Sequence, residues 1–394
     1  MEGTADVAVL GLGAMGSAAL WRLASRGASV VGFERFEPGH EFGSSHGASR
    51  IFRAAYFEDT RYVPLLVAAL EWWRRLEQES ARELLVQIGG LMIGPPDGPL
   101  ITGSLKSVNE HRLPHRILDR AAMAASYPQH KLVAGDVAIL DELAGVLLPE
   151  ETIAACLALA KDRGAAIHSL STVQRIEPAP GHVDLIVGAD TLRFRHAVIC
   201  AGPWLPDLIS IPGCELEIER QVITWFKSAT PDSFAPDRFP AFVRELADGT
   251  IGFGIPDMGD GLIKVGIHHG DGEIVNPDSM DRSVQRRDYE TTESFASAYI
   301  DGLMPSVAKA MVCLYTNSPD SHFVIGQVPG VPNMTIVSPC SGHGFKFAPL
   351  IGEIAADLAL KGGTDYAIEM FSPNRFAQSQ VSDRVSNLGG GRGE

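Results

Sequence analysis

The chain has 394 residues, 45% of them hydrophobic, with a formal net charge of −15 at pH 7. Such a length suits two domains around a large core, while the surplus negative charge opposes nucleic acid and anionic membrane surfaces as partners. Five scattered cysteines without CxxC pairs argue against a zinc site and for a reducing, cytoplasmic setting, and neither a leader-like N-terminus nor an apolar run of about 18 residues is present.

In chain order, the first signal is DVAVLGLGAMGSAALWRLASRGASVVGFER, from Asp6 to Arg35. An apolar run, Val7 to Leu10, meets Gly11-x-Gly13-x-x-Gly16; Met15, Ala19 and Leu23 then recur at helical spacing before Gly27 and a second apolar run ending at Glu34. This is strand, tight turn, helix and strand. Gly11 permits the turn, Gly13 admits a pyrophosphate to the backbone, and Gly16 lets the helix lie close to the strand. Glu34 stands where an acid accepts hydrogen bonds from an adenosine ribose, with Arg35 beside it. The pattern predicts a dinucleotide and does not separate NAD from FAD.

The Ser-, Gly- and Arg-rich segment from Gly39 to Arg50 is placed to continue along the cofactor, and Ser44, His46, Arg50 and Arg53 are its candidate contacts. A solvated loop with surface arginines is the plainer reading. From about Val63, Leu66, Leu70 and Trp73 predict a long amphipathic helix. Leu84 to Gly145 carries turn signals and no legible chemistry, as at the start of a second domain. A helix resumes at Glu150, with Thr152 as its expected N-cap and Gly164 as its stop. A hairpin turning at Gly188 to Asp190 and a run from His196 to Cys200 ending in Ala201-Gly202 then return the chain to the nucleotide domain. Arg220 to Ser306 reads as a mostly antiparallel lobe. Lys264 interrupts LIKVGI there, and its spacing alone suits a snorkelling residue on a solvated strand face. Finally, Met334 to Val337 predicts a strand, Ser338 to Phe345 a glycine-broken loop and Leu350 to Leu360 a helix stopped by Gly362-Gly363. This second anion-holding helix start, at Gly344, Phe345 and Lys346, suits a long cofactor with charge at both ends, as FAD is. NLGGGRGE is expected to be a disordered tail.

Taken together, GxGxxG, GSSHGASRIFRAAY, CAGPW, GLIKVGIHHG, VCLYTNSPDSHFVIG and SGHGFKFAPLIGE resemble, in order, the monomeric sarcosine oxidase and N-methyltryptophan oxidase family, among the D-amino acid oxidase-like flavoproteins. The resemblance implies an α/β, two-domain flavoprotein: a discontinuous, Rossmann-like FAD-binding domain (1–85, 146–218 and 316–390) and a substrate domain with a mainly antiparallel sheet (86–145 and 219–315). It further implies that Cys313 binds the flavin covalently, where a small core residue is the plainer reading. Lys264 would assist O2, and Arg53 and Lys346 would hold a substrate carboxylate. His46, Arg50, His268 and His343 would line the flavin, and Tyr315 would meet the substrate. The expected reaction oxidises an N-methyl or other secondary amino acid to an imine, with O2 reduced to H2O2, in a monomer.

The chain departs from the family near the substrate: GSSHGASR stands where the family commonly reads GSHHGDTR, and TIGFGIP, with Gly252 and Phe253, where it tends to carry tyrosines. A differently shaped, more apolar pocket follows. The alternatives are a flavin dehydrogenase with another electron acceptor, a non-catalytic dinucleotide-binding protein and, more remotely, a nicotinamide dehydrogenase.

Overall fold

The computed structural model describes residues 5–269 and 272–377, so the NLGGGRGE tail lies outside the described residues. Val7–Leu10 (β1) is buried at all four positions, as a parallel strand covered on both faces must be. Ala14–Ser25 (α1) follows, and Val30–Phe33 (β2) lies parallel to β1. After Arg50–Phe52 (β3) comes the long helix Val63–Ser80 (α2), with a proline in its first turn and Ala81 in the left-handed region at its end. Leu66 and Trp73 of its apolar stripe are fully buried, while Leu70 packs at the core's margin.

The stretch that carried no legible chemistry is structural. Leu85–Val86 (β4), Gly90–Gly94 (β5), Pro99–Glu110 (α3), His115–Leu118 (β6), Arg120–Ser126 (α4), Val137–Asp141 (β7) and Gly145–Leu147 (β8) occupy it. Pro149–Asp162 (α5) corrects the expected cap. Leu148 is the N-cap and Thr152 lies inside the first turn, its hydroxyl donating to Leu148 O at 2.6 Å. Pro149 pre-sets the helical φ three residues earlier than the threonine.

Ala166–His168 (β9), the antiparallel trio Val173–Ala179, His182–Val187 and Asp190–Phe194 (β10 to β12), His196–Ile199 (β13) and the single-turn helix Leu205–Leu208 (α6) complete the middle of the chain. Glu217–Ser228 (β14), Ala241–Glu245 (β15), Ile251–Ile255 (β16), Ile263–His268 (β17), Glu290–Tyr299 (α7) and Leu303–Asn317 (β18) form the next excursion. Val324–Val328 (β19), Val331–Ser338 (β20) and Ala348–Lys361 (α8), stopped by Gly362 at φ +76°, close the fold.

Two large sheets result, as the expected α/β class with a mainly antiparallel second sheet requires. Six strands run β19-β20-β13-β1-β2-β9, parallel except for β19. Eight run β18-β14-β17-β16-β15-β5-β7-β6, antiparallel except where β15 meets β5. Helices α1, α5 and α8 contribute to the largest apolar cluster, and Gly352 lets α8 approach α1 so closely that a Cβ there would stand 2.6 Å from Ala18 backbone. No helix among the described residues is long and apolar enough to cross a membrane.

Candidate active site

One cavity of about 620 Å³ runs between the two sheets. It opens beyond the carboxyl ends of β1, β2, β13 and β20 and is lined there by Gly11, Glu34, Ala201 and Ser338, the place where open α/β sheets bind ligands. Its other wall is the inner face of the eight-stranded sheet, including Cys313, Lys264 and Phe253.

At the first end the three glycines do different work. Gly11 has φ +83°, and a Cβ on it would lie 2.5 Å from Cys200 O. Gly16 lies behind the lining, where a Cβ would meet Gly11 O at 1.7 Å. Gly13 caps α1 with no side-chain hydrogen bond, and a Cβ there would meet only Ser45 Oγ, at 3.3 Å. The turn therefore presents bare backbone and a helix N-terminus to the cavity, a cradle for a diphosphate. Glu34 is 5% exposed; its carboxylate accepts from Leu12 N at 2.7 Å and Phe36 N at 3.0 Å. Burial pushes its pKa up, but His40 and these two N–H groups outweigh it and hold the carboxyl below its ordinary value. Arg35 and Trp204 Nε1 both donate to Asp278, at 2.8 and 2.7 Å, from the cavity rim. Gly16→Ala is therefore expected to push α1 off its strand. Bound flavin per protein should fall by at least about tenfold, equivalent to about 1.4 kcal/mol, as read from the ratio of visible to ultraviolet absorbance.

In the middle, Cys313 is buried in the wall, with Sγ 3.9 Å from both Ser44 O and Arg50 Nη2. The Arg50 guanidinium donates to Ser49 O and Ser44 O at 2.8 and 2.9 Å, which ties it to its own loop. Glu150, read in the sequence only as a helix start, fixes that loop by accepting from Gly47 N at 2.7 Å and Ala48 N at 3.1 Å. Lys264 is not on a solvated face. It is 2% exposed and donates to Gly47 O and to Ser49 O, the latter at 2.9 Å. Burial, then Arg50, pushes its pKa well down. His46 stands outside the lining; burial, then Arg50 and Lys264, holds its imidazole neutral with a pKa of about 3.

At the far end, Arg53 and Lys346 are 6% and 5% exposed. Arg53 forms a bidentate pair with Glu58, Nη1 to Oε2 at 2.9 Å, while its guanidinium lies 4.4 Å from the Tyr56 ring centroid. Among the described residues Lys346 has no carboxylate in contact, and it donates to His343 O; burial, then Arg53, depresses its pKa. His343 is fixed between Tyr56 Oη at 2.6 Å and Ser321 O at 3.0 Å. His268 Nδ1 meets Tyr315 Oη at 3.0 Å, and burial brings the His268 pKa to about 3. Phe253 lies opposite Gly266, where a Cβ would come within 2.7 Å of its ring. Ile251, Ile255, Val243 and Phe57 extend this apolar wall.

The cavity thus gathers every residue expected from the sequence except Gly16 and His46, which stand behind its lining. Glu58, Glu150 and Asp278 were missed as site residues. Only Glu58, five residues after Arg53, had a local signal. The bare glycine turn and a buried acid at the ribose position, at one end of a long continuous cavity, fit FAD. Among the described residues no group of three His, Cys, Asp or Glu side chains could hold a metal ion.

Comparison with known proteins gives the family and the fold. The chain is 40% identical over 381 residues to the monomeric sarcosine oxidase of Streptomyces avermitilis, spanning 96% of this chain and 99% of that protein. It is 30% identical over 376 residues to the N-methyl-L-tryptophan oxidase of Salmonella enteritidis, spanning 95% and 99%. Among solved structures, NikD, an amino acid oxidase of nikkomycin biosynthesis, superposes with a TM-score of 0.83 at 24% identity, covering 94% of this chain and 98% of that one. L-proline dehydrogenase from P. horikoshii does so with a TM-score of 0.82 at 19% identity, covering 96% and 99%; both show the fold. The FAD dependent oxidoreductase family matches residues 6–358, and the chain belongs to that family.

Proposed function

We propose that this FAD-dependent oxidoreductase is an amine oxidase that converts an N-methyl or other secondary amino acid to an imine and O2 to H2O2. One observation carries the reading: a single cavity joins the dinucleotide cradle to Arg53 and Lys346, two buried cations suited to a carboxylate. Bound FAD would supply the two-electron chemistry, taking a hydride equivalent from the carbon beside the amine and returning the electrons to O2. Water then hydrolyses the imine to an amine and a carbonyl compound.

The chain's own residues bind and orient. Gly11, Gly13, Glu34, Arg35, Ser44, Gly344 and Phe345 would hold the cofactor, with a thioether from Cys313 making it covalent. Arg53 and Lys346 would fix the substrate carboxylate, so that its C–H bond is presented in one orientation, a large term in such catalysis. Tyr315 and His268 would face the amine; His268, kept neutral by burial, can accept a hydrogen bond from it, and no side chain need act as a strong base if the amine binds neutral. His343 would brace Lys346 through its carbonyl, and Arg50 and His46 would shape the field beside the cofactor. Lys264 would place an ammonium where negative charge develops on O2. The wall of Phe253, Ile251 and Ile255 favours an apolar substrate side chain. Sheet membership supports separate cofactor and substrate lobes, and we take the protein to be a cytoplasmic monomer.

The test is an absorbance spectrum before and after acid precipitation, followed by anaerobic titration with N-methyl and cyclic amino acids. Yellow colour should stay with the pellet and pass to the supernatant in Cys313→Ser, and one class of substrate should bleach it. Colour free in the supernatant of the wild type would refute the covalent link. Bleaching without peroxide on readmitting air would instead favour the dehydrogenase reading, a class with the same fold.

A further inference from the structure

Lys264 is a buried ammonium that forms no ion pair among the described residues. Two of its three N–H groups are used by Gly47 O and Ser49 O. Arg50 and His46 face it from the neighbouring loop, Glu150 from α5, and Cys313 and Lys309 from β18. Glu150, the acid of this set, is committed to Gly47 N and Ala48 N. What remains is an aromatic face. Trp225, 3% exposed on β14, lies directly opposite Lys264 in the sheet, and its ring centroid is 5.1 Å from Lys264 Nζ.

We propose that Trp225 is a positioning residue that keeps Lys264 charged, its indole face standing in for the carboxylate the site lacks. The inference rests on the role given to Lys264 above. A carboxylate in contact would cancel the positive charge seen from the cavity and occupy the third N–H. The negative face of an indole attracts the ammonium without doing either. The exposed Lys309 shares the arrangement from the other side. It is paired with Trp225 across β18 and β14, with Nζ 4.9 Å from the same ring. It competes for that ring and repels Lys264, so it should weaken the effect.

The experiment compares wild type, Trp225→Phe, Lys309→Gln, and protein in which fluorinated tryptophan replaces all five tryptophans. Fluorination drains the ring face while keeping its shape. The rate of reaction of the reduced enzyme with O2 should fall at alkaline pH as Lys264 loses its proton. That limb should move down by about one pH unit in Trp225→Phe and the fluorinated protein, and up in Lys309→Gln, with substrate reduction unchanged in the two single variants. A second readout needs no turnover. Because burial depresses the Lys264 pKa, a variant that depresses it further loses stability only where the lysine is charged. The deficit in Tm should therefore be larger at about pH 6 than at about pH 10. A limb that stays in place, or a Tm deficit independent of pH, would reduce Trp225 to packing and overturn the proposal. Absence of peroxide formation would strike the functional reading instead, and the pH dependence of Tm would still decide the role of Trp225.

Discussion

Lys264→Met should leave substrate reduction of the enzyme nearly intact and slow its reaction with O2 by about 100- to 1,000-fold, the usual cost of removing one preorganised charge from a developing anion. Methionine keeps the unbranched stem and the apolar contacts on β17, so the change removes charge and donors rather than volume. Gly47 O and Ser49 O lose their lysine donor but keep Ser49 N and Arg50 Nη1, each at 2.8 Å, so Tm should fall only modestly. Rapid mixing separates the two half-reactions: reduction is followed anaerobically with substrate, reoxidation with substrate removed. An unchanged oxidative rate in a well-folded variant would transfer the role to Arg50, whose guanidinium is near Cys313. Equal slowing of both halves would mean that the lysine acts by holding the Gly47 to Ser49 loop rather than by its charge.

The parts legible in the sequence were those whose cause is local. Gly11, Gly13 and Gly16 announce a turn because backbone geometry alone requires them, and the Gly16 contact of 1.7 Å from a would-be Cβ to Gly11 O shows why no other residue serves. The strand at Val7 follows from a continuous apolar run, as in a strand covered on both faces, and the amphipathic helix at Val63 from an apolar period of 3.6. Lys264 was ambiguous because alternation on a strand names two faces without saying which is covered. It is the Gly47 to Ser49 loop, 217 and 215 residues away in sequence at its two contacts, that meets the ammonium. Glu150 and Trp225 were illegible for the same reason. Each acts across about a hundred residues or, for Trp225, across a strand pair formed only in the folded sheet. Thr152 illustrates the opposite limit, where two local signals competed and the proline at 149 set the helix start.

The pairing of Arg53 with Glu58 gives the other large expected effect. Arg53→Met leaves the half-buried Glu58 carboxylate with its main partner gone, at a cost of up to about 3 kcal/mol in stability. Arg53→Met with Glu58→Met removes both charges and should recover most of that loss, since replacing a buried pair by apolar groups is often neutral. Activity should not recover with it. If Arg53 holds the substrate carboxylate, kcat/KM stays at least about a hundredfold down in both variants. The pH dependence has a definite sign. In the wild type, burial raises the Glu58 pKa, but the charge and hydrogen bonds of Arg53 outweigh it and bring it to about 2. A depressed carboxyl stabilises the fold above its unfolded value of about 4.3, and that contribution is lost as the pH falls towards 2. In Arg53→Met burial dominates and the shift reverses, so the variant gains stability relative to wild type on acidification. Its Tm deficit should therefore narrow between about pH 7 and pH 4, while that of the double variant stays more nearly level. Recovery of kcat/KM along with Tm in the double variant would show that Arg53 serves the fold alone, leaving Lys346 to bind the carboxylate.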